Sequence, residues 1–164
     1  MTTDSTIQLA ATSGTLAHLV TDVPAEVLGR ANGEEWSAIT ILAHLRDAEV
    51  IEMRLAVERM LVEDCPELHF IAADSWAAGR NRTRNSKEWL LADFALQRRA
   101  SVSILGALRP EEWERTAKMG DRDRFTVRQF VEFWARHDAE HVAQLETIIG
   151  RTAEQARARF APDV

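Results

Sequence analysis

The apolar side chains of residues 127–148 recur at steps of three and four, which is the period of an α-helix with one buried face. The stripe consists of Val127, Phe130, Trp134, His137, His141, Leu145 and Ile148. Two histidines therefore occupy positions that face the core. The pattern predicts a long final helix in which two polar rings point inward.

Residues 38–64 carry a second apolar stripe, and it too contains a histidine. Its members are Ile41, His44, Ala48, Ile51 and Leu55, which also repeat at steps of three and four. His44 is therefore predicted to point inward, and Asp47 lies close to the same face. The chain thus has three inward histidines on two predicted helices.

Three inward histidines favour a metal site over an ordinary core. A single buried histidine is usually held by hydrogen bonds, and an H-x-x-x-H pair alone is weak evidence for a metal. Each further buried ring needs polar partners, and one metal ion satisfies one nitrogen on each ring. The spacing of His137 and His141 places both rings on one helix face, as joint binding requires.

Prolines and capping residues predict where the helices begin and end. Pro24, Pro66, Pro110 and Pro162 divide the chain into helices at about 5–21, 38–64, 86–109 and 126–149. Ser37 and Ser86 can cap the second and third helices, and Thr126 with Gln129 fits a capping box for the fourth. The remaining predictions are a stop at Gly150, a short helix at about 152–160 and a helical turn at 110–117.

Composition narrows the class of protein. The 164 residues include 25 Ala but only 7 Gly and 4 Pro, which favours long helices over a turn-rich β-sandwich or barrel. The net charge of −6 argues against a nucleic-acid-binding protein, and the single cysteine excludes an intramolecular disulfide framework. No apolar run approaches the roughly 20 residues of a membrane span, and no secretory signal is visible. We therefore expect one cytoplasmic domain over residues 1–164 that binds neither nucleic acid nor membrane.

The histidine positions also predict the topology. Four helices of similar length suggest a four-helix bundle, with an irregular α-fold as the alternative. His44 lies about 9 Å from the start of its helix and His141 about 12 Å from the end of its own, so their levels match if the two helices are antiparallel. An up-down-up-down bundle would make them parallel. Residues 65–85 must therefore cross the length of the bundle, which gives the all-α order up-down-down-up.

Three sequence motifs resemble the DinB-like superfamily of metal-binding four-helix bundles. They are EWS at 35–37 with LAHLRDAE at 42–49, PEEW at 110–113 with Thr126-Val127, and HDAEHVAQ at 137–144. The resemblance covers nearly the whole chain and implies the same up-down-down-up connectivity. It also implies that His44, His137 and His141 bind a divalent metal, usually zinc or nickel.

The same resemblance implies a range of reactions. Related proteins include isomerases and S-transferases that use mycothiol, bacillithiol or glutathione-like thiols, so one hypothesis is a metal-dependent thiol transferase or isomerase with a small-molecule substrate. The alternative is a non-catalytic metal- or small-ligand-binding protein of the stress response. An open fourth metal position favours catalysis, whereas a fourth protein ligand favours the structural role. A homodimer is compatible with both.

The polar residues beside the histidines have several possible roles. Asp47 is a candidate fourth ligand or hydrogen-bond acceptor. Gln144 and Glu140 could each orient a metal-binding ring, although Glu140 is equally consistent with a solvent-facing position. Asp138 is expected to point outward.

Three further candidate ligands are discounted. Cys65 lies ~32 Å from His44 along a continuous helix, so a reacting thiol would have to come from outside the chain. His18 lies off the apolar stripe of the first helix, and His69 falls in the crossover, so both are expected at the surface.

Overall fold

The computed structural model describes residues 3–31, 33, 35–70, 86–121 and 123–159, with side chains as far as residue 151. Its helices are α1 (Asp4–Val20), α2 (Ala25–Leu28), α3 (Ala38–Ala48), α4 (Leu55–Val62), α5 (Lys87–Ala107) and α6 (Val127–Arg159). A π-helical segment, Glu49–Arg54, joins α3 to α4 without a break. The bundle therefore consists of α1, the rod from α3 to α4, α5 and α6.

The core residues confirm that the bundle is up-down-down-up. The first apolar cluster joins the last turns of α1 and the middle of α6 to the first turns of α3 and α5: Leu16, Val20, Ile41, Leu45, Leu90, Phe94 and Leu145. The second apolar cluster joins the first turns of α1 and α6 to the π-helical segment, α4 and the last turns of α5: Leu9, Met53, Met60, Leu105, Val127 and Trp134. Hence α1 and α6 run one way, and α3 and α5 run the other way. Residues 71–85 of the predicted crossover lie outside the described residues.

The predicted helix starts are confirmed by their caps. The side chains of Ser37 and Ser86 accept hydrogen bonds from the backbone N–H of Thr40 and Trp89, at 3.3 and 3.2 Å. In the fourth bundle helix, the backbone N–H of Thr126 donates to the side chain of Gln129 at 2.9 Å, and the Gln129 N–H donates back to the Thr126 hydroxyl at 3.2 Å. These contacts satisfy backbone donors that the first helical turn leaves unpaired.

The predicted end of the last helix is wrong. α6 continues through Gly150 to Arg159, so residues 152–159 of the predicted separate helix belong to it, and residue 160 lies outside the described residues. Gly150 does not adopt the left-handed conformation that ends helices, and a glycine inside an exposed helix costs only about 1 kcal/mol relative to alanine.

The second apolar stripe is correct only up to the π-helical segment. Within and beyond this segment, Met53, Val57 and Met60 are buried, whereas Leu55 is 46% exposed and Ile51 is only partly buried. A π-helical turn contains more residues than an α-helical turn, so it rotates all later side chains around the axis. An uninterrupted α-helical period cannot anticipate this rotation.

A small sheet, which the sequence did not predict, follows the third bundle helix. The 110–117 segment contains a 3₁₀ turn at Glu112–Glu114 and a strand, β1 (Thr116–Ala117), which pairs antiparallel with β2 (Phe125–Thr126). Trp113 and Ala117 are buried in the second core cluster. No described helix is both long and apolar enough to cross a membrane.

Lys87 anchors the start of α5 to the end of α1. Its Nζ donates to the backbone carbonyls of Val20, Thr21 and Val23 at 3.0, 2.7 and 2.8 Å. A cation at a helix C-terminus also complements the helix dipole. We expect Lys87→Met to lower the free energy of unfolding by about 1–3 kcal/mol in urea titrations. Lys118→Met, at an exposed site, should change it by less than about 0.5 kcal/mol, and equal effects would contradict this role.

Candidate metal centre

A polar layer separates the two apolar clusters at mid-height in the bundle. His44 on α3 and His137 and His141 on α6 form the part of this layer nearest the surface, and all three rings are half-buried. The predicted antiparallel arrangement of α3 and α6 brings them together. The sequence prediction that these three residues meet is therefore confirmed.

The three imidazoles converge on a common point. One ring nitrogen from each residue lies within 4.8 Å of the other two. The Nε2 atoms of His44 and His137 are 3.1 Å apart, and the ring centroids are 4.6–5.2 Å apart. Among the described residues, this cluster contains no carboxylate or thiol.

Neighbouring side chains hold the ring of His141. Its Nδ1 lies 3.0 Å from Oε1 of Gln144, so Nδ1–H donates to the amide oxygen and leaves Nε2 for a ligand. The Trp36 indole is nearly parallel to the His141 ring, at 6.2 Å and 4°, and meets His44 edge-on at 5.1 Å. Gln144 thus orients a ring as predicted, while Trp36 contacts the site although its motif gave no role for it.

The environment of His44 and His141 favours their neutral forms. Burial lowers the pKa of His44 to about 4, and the nearby His141 and His137 rings act in the same direction. Burial and the His137 ring also lower the pKa of His141. Both rings therefore present lone pairs at pH 7, which metal binding requires.

The low pKa of His44 predicts acid sensitivity in the metal-free protein. Between pH 6.5 and about 4, the unfolded chain binds a proton at His44 that the folded chain excludes, so stability falls as the pH falls. The slope should stay below about 1.4 kcal/mol per pH unit, because solvent partly screens the incompletely buried ring. Urea unfolding at pH 7, 6 and 5 should show that the free energy of unfolding falls less steeply with falling pH in His44→Gln than in the wild type. Equal slopes would contradict the assignment of this acid sensitivity to His44.

Behind the histidines lies a buried ionic network that the sequence analysis missed. Arg98 on α5 donates to Glu49 Oε2 from Nε and Nη2, at 3.0 and 2.7 Å, and to Asp138 Oδ2 from Nη1 at 2.6 Å. All three residues are at most 3% exposed. The expectation that Asp138 points outward is therefore wrong, because the arginine provides the charge partner that a buried carboxylate needs.

The pKa values of the two carboxyl groups of this network are shifted in opposite directions. Burial alone would raise the pKa of Asp138, but the adjacent His137 ring and the Arg98 guanidinium outweigh it and hold that pKa below its usual value. Burial raises the pKa of Glu49 despite the opposing effect of Arg98. The lowered pKa of Asp138 keeps its carboxylate anionic beside Arg98 at neutral pH.

The other candidate residues lie elsewhere. The Asp47 carboxylate is 2.5 Å from Nε of Arg46, and it does not belong to the three-histidine cluster. Glu140 is exposed, in line with the solvent-facing alternative. Cys65 follows the end of α4 at the opposite end of the bundle. His18 and His69 are exposed, as expected.

A cavity of about 480 Å³ opens beside the histidines. It is lined by Glu35, Trp36, His141, Gln144, Thr147, Ile148 and Arg151. An ion pair between Arg151 and Glu35, at 3.3 Å, lies at its rim. The cavity gives a small molecule access to the His141 side of the cluster.

The fold and the histidine cluster define a helical protein of the DinB type, and comparison with known proteins shows the family. A profile of the DinB superfamily matches residues 8–145, so the chain belongs to that superfamily. The Bacillus subtilis protein YuaE, which is uncharacterised, is 25% identical over 133 residues, covering 73% of this chain and 80% of YuaE. YfiT from Bacillus subtilis, a four-helix bundle of unusual topology, superposes with a TM-score of 0.83 at 15% identity, covering 91% of this chain and 86% of YfiT. The likeness to YfiT supports the fold.

Proposed function

We propose that this chain binds a divalent metal ion through His44, His137 and His141. We further propose that it is an enzyme that uses this ion to act on a small-molecule substrate. The separation of the His44 and His137 Nε2 atoms, 3.1 Å, carries the proposal. Two imidazole nitrogens on a tetrahedral zinc ion would be about 3.3 Å apart, given zinc–nitrogen distances of about 2.0–2.1 Å. The rings are therefore already close to the spacing that an ion requires.

The donor set indicates which metal and which role. Three neutral imidazoles suit zinc or nickel better than magnesium or calcium, which prefer oxygen ligands. Three protein ligands leave one position of a tetrahedral ion for another molecule, as catalytic zinc sites do. The cavity lined by Trp36 and His141 supports an open position, and Asp47 is ion-paired with Arg46. These observations favour an enzyme over a non-catalytic metal-binding protein.

The proposed reaction is thiol-dependent transfer or isomerisation. A bound divalent ion would act as a Lewis acid that lowers the pKa of a thiol or water ligand. Gln144 orients the His141 ring, and the cavity beside that ring, lined in part by Trp36, would admit the substrate. Because Cys65 lies at the far end of the bundle, the reacting thiol would be a small molecule from solution.

Hydrolysis is the second candidate function. YfiT, whose fold this chain shares, is described as a probable metal-dependent hydrolase. The same cluster could lower the pKa of water instead of a thiol, and the two candidate functions differ in whether a thiol is required for turnover.

The test is an activity screen of the zinc- and nickel-loaded protein. One arm supplies low-molecular-weight thiols with electrophiles or isomerisable substrates, and the other supplies esters and amides without thiol. Turnover only in the thiol arm would support transfer or isomerisation, and turnover only in the second arm would support hydrolysis. Tight metal binding without turnover in either arm would favour the non-catalytic alternative. A His137→Gln/His141→Gln variant controls for activity that does not use the site.

A further inference from the structure

The Arg98 side chain joins all four bundle helices through the polar layer. It lies on α5 and is 2% exposed. Its guanidinium donates to the Leu9 carbonyl of α1 at 2.9 Å, to Glu49 at the end of α3, and to Asp138 on α6. The rings of Phe94 and Trp134 lie 4.7 and 5.2 Å from its central carbon. These contacts fix the guanidinium in one orientation.

Asp138 connects this network to the histidine cluster. Its Oδ2 accepts from Arg98 at 2.6 Å, while its Oδ1 lies 3.6 Å from Nδ1 of His137. That Nδ1 is buried and has no hydrogen-bond partner among the described residues, and the Nε2 of the same ring faces His44. A carboxylate beside Nδ1 favours the tautomer with a proton on Nδ1 and a lone pair on Nε2.

Stability alone does not account for such a network. Removing charged groups from water is costly, and buried ion pairs can often be replaced by apolar residues of similar volume without loss of stability. The network also lies behind His137, between the two apolar clusters. Its location suggests a role in the site, whereas a link that only joins helices could lie at any level.

We propose that Arg98 is a positioning residue for the three-histidine site. It holds Asp138 in place, Glu49 and the Leu9 carbonyl hold Arg98, and Asp138 sets the tautomer and orientation of His137. This inference rests on the proposed metal binding, and it assigns to that site a residue that touches none of the three histidines.

The first test measures Co²⁺ binding and the visible absorption of the Co²⁺-loaded protein. Arg98→Met should weaken Co²⁺ binding about 10- to 100-fold in competition with a chromophoric chelator, and should alter the absorption bands that report ligand geometry. Arg54→Met is the matched control. Arg54 lies in the same π-helical segment as Glu49 and also bonds to α5, through Gln97 at 2.9 Å, but it does not contact Asp138. It should leave affinity and spectrum unchanged even if the variant unfolds at lower urea.

A double-mutant cycle separates positioning from a general structural role. If Arg98 acts through Asp138, Arg98→Met/Asp138→Asn should bind Co²⁺ no more weakly than Asp138→Asn alone. Additive losses in affinity, or a wild-type spectrum in Arg98→Met, would overturn the proposal. If Arg98→Met does not fold, Arg98→Lys serves in its place, because a single ammonium cannot reproduce the forked contacts with both carboxyl groups.

A measurement without metal keeps this inference distinguishable from the proposed function. Histidine-ring ¹⁵N–¹H spectra of the metal-free protein should show His137 protonated on Nδ1, and Arg98→Met should shift that tautomer population. An unchanged tautomer in the folded variant would overturn the positioning role even if the wild type binds metal. Failure of the wild type to bind Co²⁺, Zn²⁺ or Ni²⁺ would instead overturn the proposed function.

Discussion

Replacing both histidines of α6 together, as His137→Gln/His141→Gln, is expected to weaken Zn²⁺ binding on the order of 10,000-fold. Zinc sites with four protein ligands contribute about 10–16 kcal/mol, or roughly 3 kcal/mol for each ligand. Losing two ligands therefore removes about 6 kcal/mol, and each factor of ten corresponds to about 1.4 kcal/mol. His44 alone would remain from the cluster.

The measurement compares purified proteins by elemental analysis and by competition with a chelator of known affinity. The wild type should retain about one equivalent of metal per chain after desalting, and the double variant should retain almost none. His18→Gln/His69→Gln is the matched control, because it makes the same chemical change at two exposed histidines outside the cluster. Equal metal content in the wild type and the α6 variant would show that the cluster is not the binding site.

The three-histidine cluster was predictable because each signal that defines it is local and periodic. His44, His137 and His141 are polar residues in apolar stripes, and a stripe fixes the direction of a side chain to within a fraction of a turn. Matching the levels of the histidines along their helices then required α3 and α6 to be antiparallel. That requirement led to the correct up-down-down-up order.

The buried network was not predictable because it depends on contacts between helices. Arg98 and Glu49 have the charge that usually marks an exposed helix face, and nothing in the local sequence identifies their partners. Asp138 directly follows His137, which lies in the apolar stripe, so the helical period places Asp138 off that stripe. Only the placement of α5 beside α6 supplies the guanidinium that makes its burial tolerable.

The π-helical segment explains the remaining error in the second stripe. Up to Ala48, the α-helical period correctly assigns Ile41, Leu42 and Leu45 to the core. From Glu49 onward the wider turn shifts the face, which buries Glu49 itself and exposes Leu55. The predicted stripe thus fails from Glu49, the residue that bonds to Arg98. The π-helical segment and the buried ionic network therefore meet at the same residue.

The largest loss of stability from a single substitution outside the polar layer is expected at Trp134. Its side chain is 1% exposed, packs in the second apolar cluster, and lies 5.2 Å from the Arg98 guanidinium carbon. Trp134→Ala would leave a cavity at the junction between that cluster and the network. Truncating a buried aromatic residue in this way costs about 3–5 kcal/mol.

Urea unfolding of the metal-free protein at pH 7 tests this expectation without interference from bound metal. Trp89→Ala is the matched control, because Trp89 is 45% exposed and stacks on Arg46, with the guanidinium carbon 4.7 Å from its ring. Its loss should cost about 1 kcal/mol or less. Similar costs for the two variants would show that Trp134 does not carry the packing assigned to it. A large loss at Trp134 alone would show that its packing in the second apolar cluster stabilises the bundle.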